Sequence, residues 1–407
     1  MPIAAYGIGP GRRNKLYLIT NGQIITENRI LNGYDLLVNN EGTIEEIVPK
    51  GKTGAKKEVE IIDARGGYVS PGFIDIHSDY IEHMAAPRPN CLMDFTLSIR
   101  ETEKELAGHG ITTMFHSLSL YKFSEFTHKP VRDPDNVKKF IDIIYNAANN
   151  SHLIRHRFHA RFEIDNFDEI DNLKNYIRNK KVHLVSFMDH TPGQGQYRDL
   201  KIYKDTVKSY KNLSDDKIEF IIQTHRSKQK LTEEGMREIA EMAAANNIAV
   251  ASHDDDSIEK LDLMESFGTT ISEFPITIEV AKAARRKGMY TVAGAPNVLL
   301  GGSHSGNLAV AEAITEGCID ALSSDYYPPS LLHAVFELNR KYGLDLADMF
   351  RLVTINPARA VNMDREIGSI KEGKKGDIII IEKIKHDFPV ITNVFVDGRL
   401  IQKTNYI

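Results

Sequence analysis

Between residues 69 and 364, short apolar runs alternate with stretches of helical spacing, and this alternation limits the fold more than any other property of the chain. The apolar runs lie at 68–76, 111–115, 158–164, 182–188, 248–252, 269–274, 290–293 and 319–323, and the clearest helical stretches are 233–246 and 308–316. Strands separated by helices pair in parallel through right-handed crossovers. Eight such units over ~300 residues predict an α/β protein with a (β/α)8, TIM-like barrel. The run at 290–293 is short enough to be an extra piece instead of a barrel strand.

The flanks read differently. Residues 16–20, 34–38, 44–48 and 59–62 are short β runs, the first followed by the turn pair Asn21-Gly22. Residues 377–381 and 390–396 resume that style near the C-terminus and lead into Asp397-Gly398. The expectation is a small β-sandwich domain built from both chain termini, 15–68 with 365–407, beside a barrel at 69–364. Segment 191–231 breaks the alternation and is charged and rich in Lys, Tyr and Gln. It reads either as a lid over the carboxyl end of a strand or as a solvated helical excursion.

Composition narrows the partners. The net charge is −5 with both signs interspersed, so neither nucleic acid nor an anionic membrane is expected. The two cysteines, Cys91 and Cys318, form no CxxC, which argues against a disulfide framework or thiolate zinc site and for a reducing compartment. Residues 1–14 do not read as a secretory signal and no run approaches the ~20 apolar residues of a membrane span, so a cytoplasmic location is expected.

In a barrel of this kind the working side chains sit at the carboxyl ends of the strands. The first strand ends in His77 and Asp79, two positions apart and therefore on one face. Later strand ends carry Glu163, then Asp189 and His190, then His253, Asp254 and Asp255, then Ser324 and Asp325. Burying so many acids and imidazoles without a cation would leave unpaired charges costing several kcal/mol each. Imidazole and carboxylate donors suit zinc first, with manganese or iron as alternatives, in one or two sites. The stretch Gly301-Gly302-Ser303-His304-Ser305-Gly306-Asn307 offers backbone N–H groups and side-chain donors for an anion, or else a plain tight turn. Arg88, between two prolines, is the first candidate for phosphate contact. Arg155, Arg157 and Arg161 share one face of a strand, either the barrel interior or the helix side. Tyr326 and Tyr327 follow Asp325 and suit hydrogen bonding or stacking on a ligand, or core packing.

The stretch Pro71-Gly72-Phe73-Ile74-Asp75-Ile76-His77, with Thr354-Ile355-Asn356-Pro357-Ala358-Arg359-Ala360 and Gly373-Lys374-Lys375-Gly376-Asp377, resembles the amidohydrolase superfamily. A narrower resemblance is to the phosphonate-metabolism M-protein family (PhnM). It is carried by His77-Ser78-Asp79, Phe187-Met188-Asp189-His190-Thr191-Pro192-Gly193-Gln194, Ala251-Ser252-His253-Asp254-Asp255, Gly294-Ala295-Pro296-Asn297 and Ser323-Ser324-Asp325-Tyr326-Tyr327-Pro328. That resemblance runs in order from about residue 16 to 403. It implies an α-D-ribose 1-methylphosphonate 5-triphosphate diphosphatase of the carbon–phosphorus lyase pathway, acting on a small phosphorylated ribose phosphonate and assembling as a homo-oligomer. By the same resemblance His77 and Asp79 hold one metal, His190 and His253 another, Glu163 bridges, and Asp325 is ligand and general base. Gly302, Ser303, His304, Ser305, Tyr326 and Arg88 are the expected substrate contacts.

The chain departs from the superfamily in three places. His77-Ser78-Asp79 stands where two histidines are usual, no lysine occurs in 161–163, and His190 is followed by Thr191-Pro192-Gly193. His116 stands where some relatives carry aspartate. The competing readings are an amidohydrolase cleaving a C–N bond of a cyclic amide, and a barrel that has lost its metals and serves as a scaffold.

Overall fold

The computed structural model of the chain describes residues 15–52, 58–88, 91–120, 129–195, 198–210, 213–302 and 308–407. The chain opens with β1 (Leu16–Ile25), β2 (Ile30–Val38), β3 (Ile44–Pro49), β4 (Val59–Asp63) and β5 (Tyr68–Pro71). Eight strands follow, each short: β6 (Phe73–Ser78), β7 (Ile111–Leu120), β8 (Arg155–Glu163), β9 (Leu184–Met188), β10 (Ala249–His253), β11 (Ile271–Glu273), β12 (Tyr290–Gly294) and β13 (Ala321–Ser323). The chain ends in β14 (Ile378–Ile384), β15 (Phe388–Val396) and β16 (Arg399–Lys403).

Strands β6 to β13 pair in chain order, and every pair is parallel. The ring comes back on itself through a parallel bridge between Ser78 and Asp325, leaving a nearly closed eight-stranded barrel. Its inward residues Ile74, Phe115, Leu184, Ala249 and Ile271 fill one interior cluster, while outward residues of β8, Phe158, Ala160 and Phe162, pack on the surrounding helices. A strand buried on both faces has no polar side to show water, which is why most of these runs are apolar; β8, with Arg155, Arg157, His159, Arg161 and Glu163 on its inner face, is the exception. Several helices begin on a side-chain cap: Thr232, Ser257 and Thr277 accept from the N–H groups of Gly235, Lys260 and Val280. Such caps stop the loop and start the helix, bringing the next strand back beside its predecessor.

The terminal strands form a second, mostly antiparallel sheet in the order β16-β15-β14-β5-β1-β2-β3, with β4 parallel to β1. Tyr17 of β1 meets Phe395 of β15 with ring centroids 5.3 Å apart although two strands lie between them. The sheet therefore folds over its own core.

Two details differ from the pattern reading and two bear on points it left open. The run 68–76 is two strands, because the chain passes from one sheet to the other at Gly72, whose Cβ would lie 2.2 Å from Thr112. Asn21-Gly22 is not a hairpin: β1 runs straight through it with a shifted register, Asn21 taking φ 58°. A left-handed residue inside a strand makes a bulge, and the pairing resumes beyond it. The run at 290–293 is a full barrel strand, so the count is eight. The 191–231 excursion forms two helices, Leu200–Tyr210 and Asp215–Arg226, with their own small core of Tyr203, Val207, Ile218 and Ile222.

Candidate metal centre and catalytic cavity

The seam that closes the barrel is also where acids gather. The Asp325 N–H donates to the His77 carbonyl at 3.1 Å, and the Asp79 N–H donates to the Asp325 carbonyl at 3.1 Å. The Ser78 hydroxyl donates to the same carbonyl at 2.5 Å. Asp75, two residues before His77 on β6, accepts from the N–H groups of His77 and Ser324, each at 3.2 Å. Three residues just past strand ends, Asp254, Phe274 and Asp325, hold φ of 52°, 55° and 56°. Residues other than glycine take that conformation at a cost, and such positions concentrate at functional sites.

Imidazoles stack around this seam. The His77 ring lies 5.1 Å from that of His159 and 5.4 Å from that of His253, whose ring is 6.2 Å from His190. Phe274 stands edge-on to His77 at 4.8 Å and near His253 at 5.2 Å. His77 Nδ1 and Glu273 Oε1 are 3.1 Å apart, and His159 Nε2 lies 3.8 Å from Glu273 Oε2. His159 is fixed further by the hydroxyls of Ser117 at 3.0 Å and Ser186 at 2.9 Å. Glu163 contacts His190 directly, and Asp254 pairs with His253 Nδ1 at 3.1 Å.

Burial decides the charges. It holds His77 well below the usual histidine range and His159 down at about 3, so both are neutral and able to ligate. Burial opposes charge on His190 too, but the Glu163 carboxylate outweighs it and raises that imidazole. Burial, with Asp79 beside it, pushes Asp325 up to about 7 against the pull of Arg161. Burial alone lifts Asp75 to about 7.

Several buried polar atoms find no partner among the described residues: Asp79 Oδ1, His253 Nε2, Glu273 Oε2, Asp75 Oδ2 and Ser324 Oγ. An orphaned carboxylate oxygen in a buried site is costly. Ligand atoms of His77, His159 and Glu273 all lie within 4.8 Å of one another. Neutral imidazoles facing carboxylates that lack partners fit a divalent cation.

The six expected ligands therefore gather at one end of one barrel. Asp79 is partly engaged by Arg132 at 3.1 Å. Asp189 is turned aside to Lys230 at 2.6 Å, and Asp255 is enclosed by Ser252, Ser272 and Lys260. Tyr326 lines a cavity of 270 Å³ together with His77, Arg161, His253, Asp254, Phe274 and Asp325. Leu300 and Leu308 also line it, so both flanks of the glycine-rich stretch reach the cavity. Gly302 holds φ 159°, while Ser303, His304 and Ser305 lie outside the described residues. Arg88 is exposed, bridged to Cys91, and is not among the residues lining this cavity.

His159 and Glu273 are absent from the ligand set read from sequence. The signal for His159 is parity: it shares the inner face of β8 with Glu163, four positions on. Glu273 is the last residue of β11 and so stands at a strand end like the others. His116 faces the helix side, where it meets His156 at 2.9 Å.

Residues 68–401 match the amidohydrolase family, and the chain belongs to that family. It is also 31% identical over 392 residues to the α-D-ribose 1-methylphosphonate 5-triphosphate diphosphatase of Escherichia coli (strain K12), covering 94% of this chain and 100% of that one. Among solved structures it resembles molinate hydrolase, with a TM-score of 0.65 at 13% identity over 96% of this chain and 95% of that one. It also resembles N-acetylglucosamine-6-phosphate deacetylase from Pasteurella multocida, with a TM-score of 0.62 at 13% identity over 95% of this chain and 99% of that one. At those identities the structural likeness speaks for the fold alone. The chain is a hydrolase by family, and no helix among the described residues is long and apolar enough to cross a membrane.

Proposed function

We propose that this protein is a metal-dependent diphosphatase of the carbon–phosphorus lyase pathway. It converts ribose 1-methylphosphonate 5-triphosphate to the 5-phosphate and pyrophosphate. The observation that carries this reading is the identity to the E. coli enzyme along its whole length. His77, Asp79, Glu163, His190, His253 and Asp325 would hold one or two divalent ions, zinc first, with His159 and Glu273 beside them. When bound, such a cation supplies Lewis acidity toward water and phosphoryl oxygens.

The chain's own groups do the remaining work. Glu273 accepts from His77 Nδ1, which leaves the lone pair on Nε2. Ser117 and Ser186 engage both ring nitrogens of His159, Nδ1 and Nε2, and so fix the orientation of that ring. Asp325, held near neutrality by its surroundings, accepts the proton of the attacking water. Water oxygen bonds to the phosphorus nearest the ribose, the bond from that phosphorus to the bridging oxygen breaks, and pyrophosphate leaves with the electron pair. The apolar wall of Phe274, Pro275 and Ile276 keeps bulk water off the reacting phosphoryl group.

Phosphorus NMR of the metal-loaded protein with the triphosphate substrate tests this reading, with a dihydropyrimidine assayed alongside. Stoichiometric pyrophosphate is expected. Orthophosphate as sole phosphorus product, or turnover of the cyclic amide alone, would refute it.

A further inference from the structure

We infer that Arg161 is the residue by which the cavity selects an anionic substrate, its guanidinium binding the phosphoryl oxygens. The inference deepens the function proposed above and rests on it for the kind of substrate. Residues 155, 157, 159, 161 and 163 alternate onto the inner face of β8, which places Arg161 between the rings and carboxylates of His159 and Glu163. Its Nε donates to Met188 Sδ at 3.2 Å, and no carboxylate of the described residues lies within ion-pair distance of it. Among the described residues lining the cavity it is the sole lysine or arginine.

The charge balance then points to the ligand. The acids of this mouth are the groups that would be committed to cations. A guanidinium placed beside those cations is repelled by them and has no carboxylate among the described residues within ion-pair distance to offset its charge. A neutral amide substrate would leave that charge uncompensated and shielded from water, at substantial cost. A phosphate anion supplies the missing charge, and the planar fork of a guanidinium matches two oxygens on one phosphorus. The same guanidinium shares the cavity lining with His77, His253, Asp254 and Asp325.

Titration calorimetry of the metal-loaded protein with inorganic pyrophosphate tests the inference, using Arg161→Gln and Arg161→Lys. The glutamine variant should weaken binding by at least about tenfold, and with the triphosphate it should raise KM more than it lowers kcat. Lysine, keeping the charge and losing the fork, should recover part of the loss. If Arg161→Gln does not fold or does not hold metal, Arg161→Lys is read alone. Pyrophosphate affinity equal to wild type, in whichever variant is read and with metal content preserved, overturns the inference. Turnover of the triphosphate with affinity indifferent to position 161 sinks only this assignment. Arg161-dependent pyrophosphate binding without turnover sinks only the proposed reaction.

Discussion

Two groups of buried histidines with a glutamate meet on opposite faces of β8, one through His156 and the other through His159, and they behave differently. On the helix side His116 meets His156 at 2.9 Å, and His156 Nε2 reaches Glu103 at 3.2 Å. Glu103 also accepts from the Leu153 N–H at 2.7 Å and from Arg100 at 3.0 Å, so the chain of contacts ends in a satisfied carboxylate. Inside the barrel His77, His159 and Glu273 stand equally buried, yet Glu273 Oε2 accepts no hydrogen bond among the described residues, and His159 Nε2 stands 3.8 Å from it. Residue types and burial are the same. What differs is the parity of the strand position, 156 against 159, and whether a neighbouring chain segment closes the network. A buried polar cluster that the protein completes is structural; one that it leaves open is built for something it does not itself contain.

That contrast breaks if the inner group proves dispensable. Asp325→Asn should lower kcat by about a thousandfold, within the span expected when a positioned proton acceptor is lost; a variant retaining near-normal turnover would remove Asp325 from the chemistry. Glu273→Gln should weaken metal retention by ~10–100-fold, read by metal analysis after dialysis against a graded chelator. Equal metal content in variant and wild type would make Glu273 an ordinary buried acid.

The outer group sharpens the contrast from the other side. Glu103→Gln should leave turnover unchanged while costing roughly 1–3 kcal/mol of stability by denaturant melts. Its acid behaviour is predictable in sign. Burial pushes the Glu103 carboxyl up, but hydrogen bonds from His156, Leu153 and Arg100 overcome it and hold the group at about 2, below its ordinary 4.5. The stabilisation is complete above that ordinary value and drains away as pH falls through it toward 2. The glutamine variant should lack this slope, and parallel acid limbs for the two proteins would contradict the assignment.

The barrel was legible because most of its strands are apolar runs and several of its helices carry recognisable starts. The terminal sheet was legible from composition at both ends of the chain. The exchange of sheets at Gly72 was not, since a run of apolar residues does not say which sheet each half joins. At the site, the strand-end rule reads the last residue of each strand and the few that follow, and so draws up His77, His190, His253 and Asp325 as candidates. It passes over His159, which lies mid-strand and reaches the cluster because β8 extends nine residues. It overvalues Asp189, which a lysine thirty or more positions away withdraws. The arginines show the same limit. Arg155 and Arg161 share a face, yet Arg155 is consumed by Asp377 at 2.7 Å and Asp397 at 2.8 Å, pinning the barrel to the terminal sheet. Only the tertiary partners separate an anchor from a free charge.

The closure of the ring at Ser78 and Asp325 joins segments about 250 positions apart, and the joint is made by the backbone of Asp325, the proposed proton acceptor. Whatever grips the side chains of His77, Asp79 and Asp325 together therefore also clasps the first and last staves of the barrel. Cargo and hoop become one object: emptying the mouth loosens the seam, and amide exchange at positions 79 and 325 would keep time with occupancy.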